Sequence, residues 1–368
     1  MIRLPRAWRE NTLLGLSVTA SLAAFILVVV EVNKDDAVGG STPIDEPSGT
    51  VTKPNPYENI NPWLRDGAPY VRLVQHGYHD ETLDITMGVY DDMRTHFGGV
   101  GPIDYYYVEN GGTSTATGPG YYTLDEMETH YCKYFTDLFG CIAAEDFSTI
   151  TNPFIQAFYT GHMSIFQLLY PSWYASRTGA ELAEFVGGIA LHEATHSLQF
   201  AYGNYLSAYP SGPIWWLEGG ADYYKKMLPI HMPSLTRGLY NYTETKFISD
   251  FTGRRQGYLA AVGGGVTIAN GETSAEREAL GQYEVQVLYE GGSLAWLWCH
   301  HSSGLNFTGF DGWRQDLLDN GWLHVLQTYC GCSNCTSEDF DPFYDPFHVA
   351  LADETEFLAV IESTASLI

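Results

Sequence analysis

Apolar positions recur at helical spacing in several long stretches of the chain and at strand spacing in two shorter ones. Between Asp80 and Phe97 the positions Leu83, Met87, Val89, Tyr90 and Met93 share one helical face, and Gly98-Gly99 ends the pattern, which predicts a helix. Ile103-Asp-Tyr-Tyr-Tyr-Val108 is rich in β-formers and closes on Asn110-Gly111-Gly112, while residues 164–170 form a second apolar run before Pro171. Both predict sheet. A second helix is expected over 181–202, with Leu182, Phe185, Val186 and Ile189 on one side, and a third over about 214–228. Gly263-Gly264-Gly265 reads as a loop, residues 276–299 as one apolar helix, and the remainder as further helices. The pattern predicts an α+β domain of two lobes: a sheet-containing lobe over 61–228 and a mainly helical one over 229–368.

The amino terminus has a different character. The run from Leu13 to Val30 holds no charged residue, and at about 1.5 Å per residue it would extend about 27 Å, close to the hydrocarbon thickness of a bilayer. Arg3, Arg6 and Arg9 precede it, and Glu31, Asp35 and Asp36 follow it. The positive-inside rule then predicts a cytoplasmic tail over 1–12, a transmembrane signal anchor over 13–31, and an extracytoplasmic body. Cleavage near Ser21 or Ala23, giving a secreted protein, is the alternative. Residues 32–60, rich in Asp, Gly, Ser, Thr and Pro, read as a flexible linker.

An apolar content of 45% with 14% aromatics is that of a folded chain. The formal net charge of −26 repels phosphate backbones and argues against a nucleic-acid partner. Six cysteines, at 132, 141, 299, 330, 332 and 335, are an even set that an exported protein would pair as three disulfides, with Cys132 and Cys141 able to close a short loop. Cys330-Gly-Cys332-Ser-Asn-Cys335 lacks a complete set of four metal ligands. The sequons at Asn241, Asn306 and Asn334 suit the same exported route.

The chemistry concentrates in His192-Glu193-Ala194-Thr195-His196. Residues four apart on a helix lie on one face, so the two imidazoles can bind one ion, and Glu193, turned by about 100°, flanks the open coordination position. There it can serve as general base toward a metal-activated water. Two surface histidines on an amphipathic helix are the plainer reading of the pentapeptide alone. Downstream stands Trp215-Trp216-Leu217-Glu218-Gly219-Gly220-Ala221-Asp222-Tyr223. Together the two segments resemble the HExxH and W-x-x-E-G-x-A-x-Y signatures of gluzincin metallopeptidases.

That resemblance implies a thermolysin-like catalytic domain with Zn2+ held by His192, His196 and Glu218. Two imidazoles and a carboxylate leave one vertex for water, as in catalytic zinc sites. It also implies that Asp222, four residues beyond Glu218, accepts a hydrogen bond from His192 and fixes its tautomer. Tyr289-Glu290-Gly291-Gly292 is similar to the Y-x-x-G helix start of the aminopeptidase N group, which makes Tyr289 an oxyanion donor, with Tyr223, Tyr224 and Tyr283 as competitors. In Gly161-His162-Met163-Ser164-Ile165, Ser164 stands where that group carries the glutamate that grips a substrate's amino terminus. His300 reads as a buried or capping histidine.

The expected activity is hydrolysis of peptide or protein substrates, with the peptide paired to an edge strand over 164–170. A catalytically inactive zinc-binding ectodomain for adhesion or recognition is the alternative, and the presence of Glu193 speaks against it.

Overall fold

The computed structural model describes residues 71–75, 80–97, 103–109, 121–122, 154–159, 163–169, 177–202, 213–231, 241–302, 310–321, 324, 327–328 and 337–367. The expected tail, anchor and linker, Asn306, Asn334 and every cysteine except Cys299 lie outside them.

Among the described residues, five strands form one sheet. They are β1 (Val71–Gln75), β2 (Ile103–Glu109), β3 (Tyr121–Tyr122), β4 (Phe154–Tyr159) and β5 (Met163–Leu169), in the order β3-β1-β2-β5-β4. All neighbours are parallel except β4, which runs antiparallel to β5 with Phe154 opposite Leu168 and Tyr159 opposite Met163. The expected strand over 164–170 is β5, but it is an interior strand between β2 and β4, and β4 forms the sheet's end.

Nine α-helices accompany the sheet among the described residues: α1 (Asp80–Phe97), α2 (Gly179–Tyr202), α3 (Ile214–His231), α4 (Glu244–Gly263), α5 (Ser274–Leu280), α6 (Gly292–Ser302), α7 (Phe310–Asn320), α8 (Ser337–Ala352) and α9 (Glu354–Leu367). Helix α1 begins and ends where its apolar period does, and it buries Ile85, Val89, Tyr90, Met93 and Phe97. Helix α4 was not apparent from periodicity. Thr243 caps it by accepting from the Lys246 N–H at 3.2 Å, and it ends at the Gly-Gly-Gly segment, where Gly265 adopts φ +84°.

The apolar helix expected over 276–299 is broken. Helix α5 stops at Gly281, whose φ of +56° a side chain would resist. A short 3-10 turn (Gly281–Tyr283) and a π-helix (Val285–Gly291) follow before α6 begins. The apolar run is continuous because this segment is packed against α3 and α4.

Two expectations are corrected here. The first is the two-lobed α+β domain behind a transmembrane helix: the buried core of the described residues runs through the helices from α1 to α9 as one connected cluster. That core crosses the division expected at 228/229, because Trp215 of α3 donates its indole N–H to the Tyr344 hydroxyl of α8 at 3.2 Å and lies against Phe343. The body is therefore predominantly helical. The second is the single-pass membrane localisation: no described helix is long and apolar enough to cross a membrane. The longest, α2 with 24 residues, carries Glu181, Glu184, His192, Glu193 and His196 along its length.

Cys299 is a buried free thiol on α6, so the six cysteines do not all pair. His300 beside it is a buried structural histidine. Tyr223 and Tyr224 place their hydroxyls 3.2 Å from its Nδ1 and 3.3 Å from its Nε2, and burial lowers its pKa to about 3. A histidine that is free to take a proton near pH 6.5 when unfolded, and resists it when folded, favours the unfolded chain as pH falls. The contribution of His300 is thus intact above pH 6.5 and is lost at about 1.4 kcal/mol per pH unit between 6.5 and 3. Denaturant titrations at pH 7.5, 6 and 5 are expected to show this slope in wild type and a shallower one in His300→Gln; identical slopes would refute the assignment.

Candidate metal centre

Helix α2 presents His192 and His196 on one face because four residues make just over one turn. Helix α3 crosses it and delivers Glu218 from the same side. The His192 and His196 Nε2 atoms are 3.1 Å apart, and Glu218 Oε2 lies 3.3 Å from the first and 3.5 Å from the second. All three side chains are buried. Bonds of about 2.0–2.1 Å to a tetrahedral ion place their donor atoms roughly 3.3–3.4 Å apart, so the spacing fits one small cation. This buried group could hold a metal ion.

The crossing depends on glycine. A Cβ on Gly219 would lie 2.3 Å from the backbone carbon of Gly292, and one on Gly292 would lie 2.4 Å from the Trp215 carbonyl oxygen. The backbones of α3 and α6 thus touch. Gly220 opens a second gap, because its Cβ would come within 2.9 Å of both Gln199 Nε2 and Trp296 Nε1. Through that gap Trp296 Nε1 donates to the Trp216 carbonyl at 2.8 Å and Gln199 Nε2 donates to the Leu217 carbonyl at 3.1 Å.

Glu193 is buried at 5% exposure, and burial raises its pKa, against the pull of both histidines. Burial alone would lower the His192 pKa, but the Asp222 and Glu218 carboxylates outweigh it and raise the value to about 9. Glu218 is also desolvated, yet the two imidazoles hold it well below the usual carboxylate range.

Asp222 sits beside His192, as expected, but their contact is one of charge. Oδ1 is 3.8 Å from His192 Nδ1, beyond hydrogen-bond length, and that nitrogen is buried without a hydrogen bond. The reason is competition: Arg254 of α4 and Lys225 both contact the Asp222 carboxylate, and they keep it ionised despite its burial. Arg254 also donates to Ser293 Oγ at 3.1 Å.

Tyr289, on the π-helix, brings its ring centroid to 5.7 Å from that of His192. Burial, then the fields of Glu218, Glu284 and Glu193, push its phenol pKa well above 10, so it stays protonated. Of its competitors, Tyr223 and Tyr224 are committed to His300, and the Tyr283 hydroxyl lies beside Gly264.

Three polar partners were not foreseen. Gln199 carried a usable signal, since it stands one turn beyond His196 on α2 and receives its ring N–H, with Nδ1 2.7 Å from Oε1. Lys225 carried a weaker one, three residues beyond Asp222. Arg254 carried none, because it is 32 positions from Asp222 on a helix that the apolar pattern did not reveal.

Compared with known proteins, the chain matches no family model, no curated protein and no solved structure.

Proposed function

We propose that the chain is a zinc-dependent peptidase of the gluzincin kind. One observation carries the reading: two imidazole nitrogens and one carboxylate oxygen, from two helices, converge at 3.1–3.5 Å with a buried glutamate next to the first ligand. Two nitrogen donors and one oxygen donor suit zinc, and three protein ligands leave a vertex open, as catalytic sites require.

Zinc held by His192, His196 and Glu218 would supply Lewis acidity, lowering the pKa of a water and polarising the scissile carbonyl. Glu193 takes the proton of the attacking water and returns it to the leaving amine. The Tyr289 phenol, whose ring centroid lies 5.7 Å from that of His192, donates to the oxygen on which negative charge develops. Strand β4 ends the described sheet and packs against α2, and its outer edge is where an extended peptide would add by backbone pairing.

The test uses the full chain: zinc counted per molecule, and hydrolysis of a mixed peptide library followed before chelation, after it, and after one equivalent of zinc is restored. The expected result is one zinc per chain, with cleavage lost on chelation and recovered on reconstitution. A zinc-replete chain that cleaves nothing in the library, or cleavage that survives complete metal removal, would rule the reading out.

A further inference from the structure

Gln199 is completely buried between α2 and α3, and both ends of its amide are engaged. Its Oε1 lies 2.7 Å from His196 Nδ1, and its Nε2 donates at 3.1 Å to the carbonyl of Leu217, the residue before Glu218. An amide oxygen only accepts, so His196 must carry its proton on Nδ1 and point the Nε2 lone pair toward Glu218 and His192. The other end is directional too. An amide nitrogen only donates, and the Leu217 carbonyl is within its reach because Gly220 has no side chain to fill the gap.

We propose that Gln199 is a positioning residue that couples the two halves of the ligand set, setting the tautomer of His196 on α2 while holding the α3 backbone that presents Glu218. The inference rests on the metal-centre reading above. Its particular content is that one side chain governs both helices, so His196 and Glu218 are preorganised together. Asp222 does not do this for His192, since its carboxylate is drawn to Arg254 and Lys225.

Zinc affinity of the full chain, measured by competition with a chelating dye, reads the coupling without relying on turnover. Gln199→Met preserves length and removes both hydrogen bonds. It is expected to weaken zinc binding by about 10- to 100-fold, the usual effect of losing a ligand's outer partner, and to shift the visible absorption of the Co2+-substituted protein. Gln199→Glu keeps an acceptor for His196 but sets a carboxylate oxygen against the Leu217 carbonyl. It is expected to hold zinc within about threefold of wild type while its metal-free Tm falls, which separates the two ends of the amide. A folded Gln199→Met that binds zinc as tightly as wild type, or a Gln199→Glu as weak as Gln199→Met, would overturn the proposal.

The wild-type chain supplies a check that needs no variant. In the metal-free protein, nitrogen chemical shifts of labelled histidine are expected to show His196 protonated on Nδ1, and a proton on Nε2 alone would equally overturn the inference. Wild type that binds zinc and hydrolyses nothing would refute the peptidase reading and leave the role of Gln199 standing.

Discussion

Replacing Glu193 by Gln is expected to lower kcat by about 10^2- to 10^4-fold while zinc stays bound at one per chain. The substitution keeps the shape of a side chain that is only 5% exposed and leaves His192, His196 and Glu218 untouched, so the metal has no reason to leave. What it removes is the capacity to take a proton from water and carry it to the leaving amine. Because the role proposed for Glu193 is proton transfer rather than holding the peptide, the loss should fall on kcat, with KM nearly unchanged. Metal analysis on the samples used for kinetics makes the result interpretable: turnover within tenfold of wild type at full zinc occupancy would remove Glu193 from the chemistry.

The largest effect on stability is expected at the contact between α3 and α6. An alanine Cβ at position 292 would lie 2.4 Å from the Trp215 carbonyl oxygen and 2.8 Å from the Gly219 Cα. Both are backbone atoms, so no rotamer change relieves the clash and the helices must separate. Overpacking of a core commonly costs 1–3 kcal/mol when side chains can yield. Here they cannot, and Gly292→Ala is expected to cost about 3 kcal/mol or more. Separation would also draw Glu218 away from the imidazoles, so zinc affinity should fall with stability. Gly253→Ala is the control, since that glycine is exposed on α4 with nothing within 4 Å of its added Cβ. It is expected to stabilise by about 0.5–1 kcal/mol through reduced freedom of the unfolded chain. Urea denaturation of the three proteins decides the matter, and a Gly292→Ala as stable as wild type would mean the helices do not meet as described.

The neighbourhood of the site explains the glycine pairs in both motifs. Gly219 and Gly292 allow backbone contact between helices, and Gly220 admits two side-chain N–H groups to the α3 carbonyls. Each of these three positions must touch another backbone or let a donor reach one, whereas a Cβ on Gly291 would meet the Tyr258 ring at 2.5 Å. The same contact lies beside the π-helix that carries Tyr289 toward His192, so the positions of Tyr289 and Glu218 are set by one crossing.

The sequence by itself determined whatever depends on residues within a turn or two of one another. His192, Glu193 and His196 share a helix whose period can be counted, and the α1 boundaries at Asp80 and Phe97 follow from apolar spacing and the glycines after it. The pairing of Glu218 with the histidines was also legible, through the form of its own segment. Tertiary structure alone decided the rest, because each remaining feature is a meeting of distant segments. Interior placement of β5 follows from pairing with β2 on one side and β4 on the other, and strand periodicity is the same at an edge as inside a sheet. One connected helical core replaced two lobes because Trp215 packs on α8, more than a hundred residues away. Asp222 turned to Arg254 and Lys225 because a buried carboxylate is stabilised more by two cations than by one imidazole, and no spacing rule reveals which cation a fold will bring.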